Sequence, residues 1–106
     1  MFARNVSLRL KPNTLGEFTQ ILEKDVLPIL RKQLGFRDEI TFAAEGGTDV
    51  TAISLWDSKE QAETYSANAY PQVLKTLEKV IEGQPSVRGS TVINSTFHRI
   101  AAGKAA

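Results

Sequence analysis

The chain has no cysteine. Disulfides, thiolate metal sites and a cysteine nucleophile are thereby excluded. It has one histidine, His98, which cannot build a multi-histidine metal centre by itself. It has no real excess of either charge: 13 basic and 12 acidic side chains leave a net +1. Nucleic-acid and anionic-membrane binders cluster Lys and Arg, so both partner classes are read as absent. Long apolar runs are missing too. Charge or polarity interrupts the amino-terminal stretch from Met1 to Arg9 every few residues. It does not read as a signal peptide, and no stretch reaches membrane length. A cytoplasmic protein is the expectation. What is present is ordinary: 106 residues, 42% hydrophobic and 24% charged, enough for one soluble globular domain with a single core.

The clearest local signal runs from Ile53 to Tyr65. Ile53 to Trp56 is short, apolar and β-leaning, and Trp56 is the only tryptophan. Asp57 or Ser58 follows as a helix cap, with Glu60 and Gln61 three residues on as capping-box partners. The chain therefore turns from strand to helix at Trp56.

Upstream, Phe2 to Leu10 alternates. Phe2, Val6, Leu8 and Leu10 share one side, and Ala3, Asn5, Ser7 and Arg9 the other. Thr14 and Glu17 have capping-box spacing before a helical stripe of Leu15, Phe18, Leu22, Val26 and Ile29 or Leu30. Pro28 should kink that helix near Lys24 to Leu27, and Gly35 should cap it. Phe36 to Phe42 reads as a strand with Phe36, Ile40 and Phe42 on one side and Asp38 among them. A carboxylate there calls for Arg4 or Arg37 as its partner. Glu45 to Asp49 is a hairpin, and Val50 to Trp56 a strand apolar on both faces. The second helical segment should break at Tyr70-Pro71 and end at Gly83 and Pro85. Val87 to Ile100 completes the set as a last strand or two short ones, with Gly89 as a bulge. Residues 101–106 read as a loose tail.

The order is βαββαβ. This predicts an α+β, ferredoxin-like domain over 1–106: an antiparallel four-stranded sheet with both helices on one face. The other face needs a cover because the third strand is apolar on both sides. A second copy of the chain is the simplest one, which predicts a homodimer.

Gly35-Phe36 entering the second strand, Gly46-Gly47 at the hairpin, and Leu55-Trp56-Asp57-Ser58-Lys59-Glu60 leading to Tyr65 resemble the antibiotic biosynthesis monooxygenase family. The resemblance implies a dimeric α/β barrel with a pocket between sheet and helices in each subunit. It also implies oxidation of a small aromatic or quinol by O2 with neither metal nor flavin. In quinone-forming members an Asn, a Trp and a Tyr serve the substrate. Trp56 matches the Trp, whereas Ala52 and Ala62 stand at the Asn and Tyr positions, with Tyr65 one turn beyond. The haem-degrading branch would need a His, a Trp and an Asn where this chain has Lys75, Tyr65 and Val6. Haem degradation is therefore rejected.

Four residues are the site candidates. His98 is the default general base, since only its unperturbed pKa lies near neutrality. Tyr65 can hydrogen-bond a ligand through its hydroxyl. Trp56 can stack on a planar ligand, and Asn5 can orient one. Each also has a structural reading: Trp56 as a core anchor, Tyr65 as a core-edge residue, and Asn5 and His98 as dimer-seam groups. No metal ligand set and no cofactor are expected. Two functions stand side by side. One is a cofactor-independent monooxygenase of a small aromatic. The other is a non-catalytic dimeric small-molecule-binding or stress-related domain.

Overall fold

The computed structural model describes residues 1–98. The element order is β1 (Phe2–Leu10), α1 (Leu15–Ile21), a π-helical turn (Leu22–Val26), α2 (Leu27–Arg31), β2 (Phe36–Ala43), β3 (Asp49–Trp56), α3 (Lys59–Asn68), α4 (Tyr70–Leu77) and β4 (Ile81–Thr91). The strands form one antiparallel sheet in the order β2-β3-β1-β4. This is the ferredoxin-like α+β arrangement. No helix among the described residues is long and apolar enough to cross a membrane.

The core follows from strand parity. Register pairs Phe2 with Trp56 and Leu8 with Val50, so these residues share the face that packs under the helices. Leu10, Val50, Trp56 and Val80 are completely buried there, against Phe18, Val26, Leu30, Tyr65, Val73 and Leu77 from the helical layer. The opposite face carries Asn5, Ser7, Thr51, Ile53 and Leu55.

Pro28 acts as expected. It lies in the first turn of α2, directly after the π-helical turn, where the Leu27 N–H reaches back to the Leu22 carbonyl. A proline lacks the N–H an α-helix needs, and the widened turn absorbs the defect. Pro71 sits in the first turn of α4, also as expected. Ser58 caps α3 by accepting from the Gln61 N–H at 3.2 Å, while Asp57 pairs with Arg37. Gly35 has φ 84, and its carbonyl accepts from the Asp57 N–H.

Four expectations are corrected. The Thr14–Glu17 capping box does not form; the Thr14 hydroxyl donates instead to the Lys11 carbonyl at 2.7 Å. The last strand runs over Ile81–Thr91, not from Val87 onward. Gly83 and Pro85 lie inside it because β4 is an edge strand, where a missing N–H costs no ladder bond. The ladder irregularity of β4 falls opposite Ser7 to Arg9 and not at Gly89, where the Phe2 ring occupies the space of a side chain. Finally, β2 carries a register shift between Phe36 and Asp38. Phe36 therefore faces the helices, while Asp38, Ile40 and Phe42 face the open side. The tail at 101–106, and positions 99 and 100 of the expected strand, lie outside the described residues.

Candidate functional site

A cavity of about 50 Å3 lies between the sheet and the helices. Its floor is Val6 and Leu8 of β1 and Ala52 of β3. Its roof is Phe18, Leu22, Val26 and Leu30 from the proline-interrupted first helical segment, with Val73, Leu74 and Leu77 from α4. One wall is polar: Arg4, Glu39, Ser54, Tyr65 and Tyr70. The backbone explains this grouping. Arg4 and Ser54 are register partners on the helix-facing side. Glu39 joins them because it pairs with Ser54 beyond the shift in β2. Tyr65 and Tyr70 flank the α3–α4 junction set by Pro71.

The polar wall has unusual electrostatics. Arg4 is 5% exposed. Its guanidinium lies 3.9 Å from the Tyr70 ring centre and 5.3 Å from that of Tyr65. Its Nη2 donates to Ser66 Oγ at 3.3 Å. Burial pushes the Glu39 carboxyl above its ordinary range, and a hydrogen bond from the Thr41 hydroxyl opposes the shift. Burial likewise pushes the Tyr65 hydroxyl up to about 12; the Arg4 charge works against that, and Tyr70 and Glu39 add to it. Tyr65 therefore stays protonated at any ordinary pH and can only donate or accept as a neutral phenol. The Tyr70 hydroxyl is enclosed and, among the described residues, has no hydrogen-bond partner. A buried unpaired hydroxyl is costly, so a polar group arriving in the cavity would be held there.

The four sequence candidates separate across the sheet. Tyr65 lines the cavity. Trp56 stands directly behind it, wholly buried, stacked on Tyr65 at 5.0 Å and edge-on to Phe36 at 5.6 Å. Its indole N–H donates to Ser54 Oγ at 2.8 Å, so it supports the wall without lining it. Asn5 is on the open face, opposite Ile53 and Arg88. His98 lies in a turn beyond β4 and pairs through Nε2 with Asp38. Asp38 points to the open side, so its partner is His98 rather than Arg4 or Arg37. Neither Asn5 nor His98 reaches the cavity. A period-two strand puts alternate residues on opposite faces, and the sheet separates them.

Arg4, Glu39, Ser54 and Tyr70 were not singled out as site residues from sequence. Arg4 carried a readable signal: it is the one charge at the parity of Phe2, Val6, Leu8 and Leu10. Glu39 carried none, because the shift that turns it inward is a tertiary feature. Among the described residues, no group of three or more His, Cys, Asp or Glu side chains is placed to hold a metal ion.

No protein-family model matches the chain, and no curated protein matches it in sequence. Solved structures do match. A monooxygenase from the ActVA-Orf6 gene of Streptomyces coelicolor, solved with nanaomycin D, superposes with a TM-score of 0.76 at 19% identity, over 89% of this chain and 88% of that one. SnoaB, a cofactor-independent oxygenase from Streptomyces nogalater, gives 0.75 at 10% identity, over 90% and 95%. This is the fold of the antibiotic biosynthesis monooxygenases. A Nitrosomonas europaea protein of unknown function shares it too, at 0.73 and 12% identity, over 90% and 91%. The monooxygenase fold thus accounts for nearly the whole chain.

Proposed function

We propose that the protein is a dimeric, cytoplasmic member of the antibiotic biosynthesis monooxygenase family that oxidises a small phenol or quinol with O2. The observation that carries this reading is the polar wall: a Tyr70 hydroxyl with no partner among the described residues and a half-buried Glu39, both lining an apolar cavity. Such a wall suits a flat apolar ring bearing a hydroxyl. Glu39 takes the place first given to His98. As a carboxylate with a raised pKa it can accept the phenolic proton, and Tyr65 and Tyr70 can donate to the oxygen that becomes negative. The electron-rich phenolate then supplies electrons to O2. A carbon–oxygen bond forms at the ring position para to the oxygen. The O–O bond breaks, the ring C–H proton is lost, and the outer oxygen leaves as water with the proton returned by Glu39. Phenol plus O2 thus gives para-quinone plus water. The dry cavity limits side reactions of the intermediate.

A second reading has its own support. A cavity of about 50 Å3 is smaller than the roughly 150 Å3 that accommodates benzene. Ala52 and Ala62 also stand where the resemblance places Asn and Tyr. Both points favour a non-catalytic small-molecule-binding or stress-related domain, and a ring can enter only if the helical roof moves outward. Oxygen uptake with a panel of phenols and hydroquinones separates the readings. For the enzyme, protein-dependent uptake is expected, falling about 100-fold or more in Glu39→Gln. Binding of a phenol without uptake selects the second reading.

A further inference from the structure

Arg4 is a buried cation without a counter-charge. Among the described residues it forms no ion pair. Buried charges are ordinarily paired, because leaving water is costly for an ion. Two tyrosine faces offset part of that cost. Of the five N–H donors a guanidinium offers, one has a protein acceptor among the described residues, Ser66 Oγ.

Arg4 is also the shared wall of two spaces. One is the inner cavity. The other is an outer cleft of about 380 Å3 that it lines with Phe2, Lys59, Ala62, Glu63 and Ser66. Lys59 and Glu63 pair with each other at 3.7 Å. The cleft therefore keeps one unbalanced positive charge, on Arg4. That balance fits a monoanion. A dianion would meet the Glu63 carboxylate with only one free cation to hold it. The planar fork of Arg matches a carboxylate in two parallel hydrogen bonds.

We propose that the ligand is an aromatic carboxylic acid whose carboxylate docks on Arg4, at the boundary between cavity and cleft, with its ring toward Tyr65 and Tyr70. This rests on the aromatic-ligand reading above and adds the acidic group to it. The cleft supplies room that the inner cavity lacks.

Calorimetric titration with a matched pair of probes tests it. 3-Hydroxybenzoate and 3-hydroxybenzamide have nearly the same shape, only the first is charged, and both leave the ring position para to the hydroxyl free. The wild type is expected to bind the acid about tenfold to a hundredfold more tightly. Arg4→Met should abolish that preference, leaving the two probes bound equally. If Arg4→Met does not fold by circular dichroism, Arg4→Lys retains the charge without the fork and should show a smaller preference. Equal binding of the two probes by the wild type overturns the proposal and leaves the aromatic reading standing. So does an undiminished preference in the variant that folds. Inorganic phosphate competing as well as the acid overturns the choice of a carboxylate. Binding of neither probe overturns this proposal and the aromatic reading together. Preference for the acid without oxygen uptake supports the carboxylate site and removes only the oxygenase.

Discussion

Arg37 sits at the register shift of β2, and the consequence falls on Glu39. A strand without the shift would turn Glu39 to the side away from Phe36. With it, both face the helices, and the carboxylate is half-buried beside Thr41. Burial raises its pKa above the ordinary 4.5. The folded chain thus holds this proton more tightly than the unfolded chain does. The stabilisation is complete below the unfolded pKa and is lost as pH rises through the folded one. At neutral pH the ionised group is therefore a burden. Glu39→Gln removes the charge and keeps an acceptor for Thr41. It is expected to raise the melting temperature by a few degrees at pH 7, with the gain vanishing near pH 4. Calorimetry at the two pH values reads this directly, and equal melting at pH 7 would contradict it. The same substitution that removes the proposed base should thus make the protein more stable, as expected where function rather than stability keeps a half-buried carboxylate.

At the scale of elements, the joint between α2 and β2 holds the helical layer to the sheet corner at Trp56. Gly35 makes that joint. Its φ of 84 lies in the left-handed region, and its carbonyl accepts from the Asp57 N–H at 2.8 Å. A Cβ at this position would stand 2.0 Å from Gln61 Oε1 and 2.9 Å from Gln61 Cβ. The amide end can rotate away, but the Cβ is fixed to α3. Gly35→Ala should therefore cost about 2–3 kcal/mol, from the left-handed backbone and the displaced Gln61. Urea denaturation would show this as a lower midpoint at unchanged slope. An unchanged midpoint would mean that the joint relaxes freely. The π-helical turn matters at the same scale. It places Leu22 and Val26 over the cavity, so the proline that defines the helix break also shapes the roof of the site.

At the scale of the molecule, the sheet has one face under the helices and one that, among the described residues, is only partly covered. Ile40 and Phe42 are 48% and 52% exposed on the partly covered side, next to Ile53 and Leu55. Apolar side chains grouped on one sheet face mark a surface that is covered in use. A second copy is the expected cover. Light scattering on the eluting protein should give twice the 11.7 kDa chain mass. Phe42→Lys should shift that mass to the monomer, because a buried, unpaired lysine is unfavourable at an interface core. A wild-type monomer would leave the partly covered face without its expected partner. His98 and Asp38 lie on this side, so their pairing belongs to that surface rather than to the cavity.

The amino-acid sequence by itself determined the order of the elements, the helix breaks at Pro28 and Pro71, a cap at Asp57 or Ser58 and the buried corner at Trp56. These are local matters of φ, missing N–H groups, capping oxygens and periodicity, and each acts within a few residues. Tertiary structure alone decided which polar groups meet. Parity along one strand can suggest that Arg4 points inward, but the shift in β2 that turns Glu39 to the same wall is a property of two paired strands. Trp56 lies behind the wall rather than on it because Tyr65 stacks over it from another element. Asn5 and His98 fall on the far side because a sheet is a barrier between its faces. The strand ladder and helix packing place these side chains, and no single segment of the sequence contains that information.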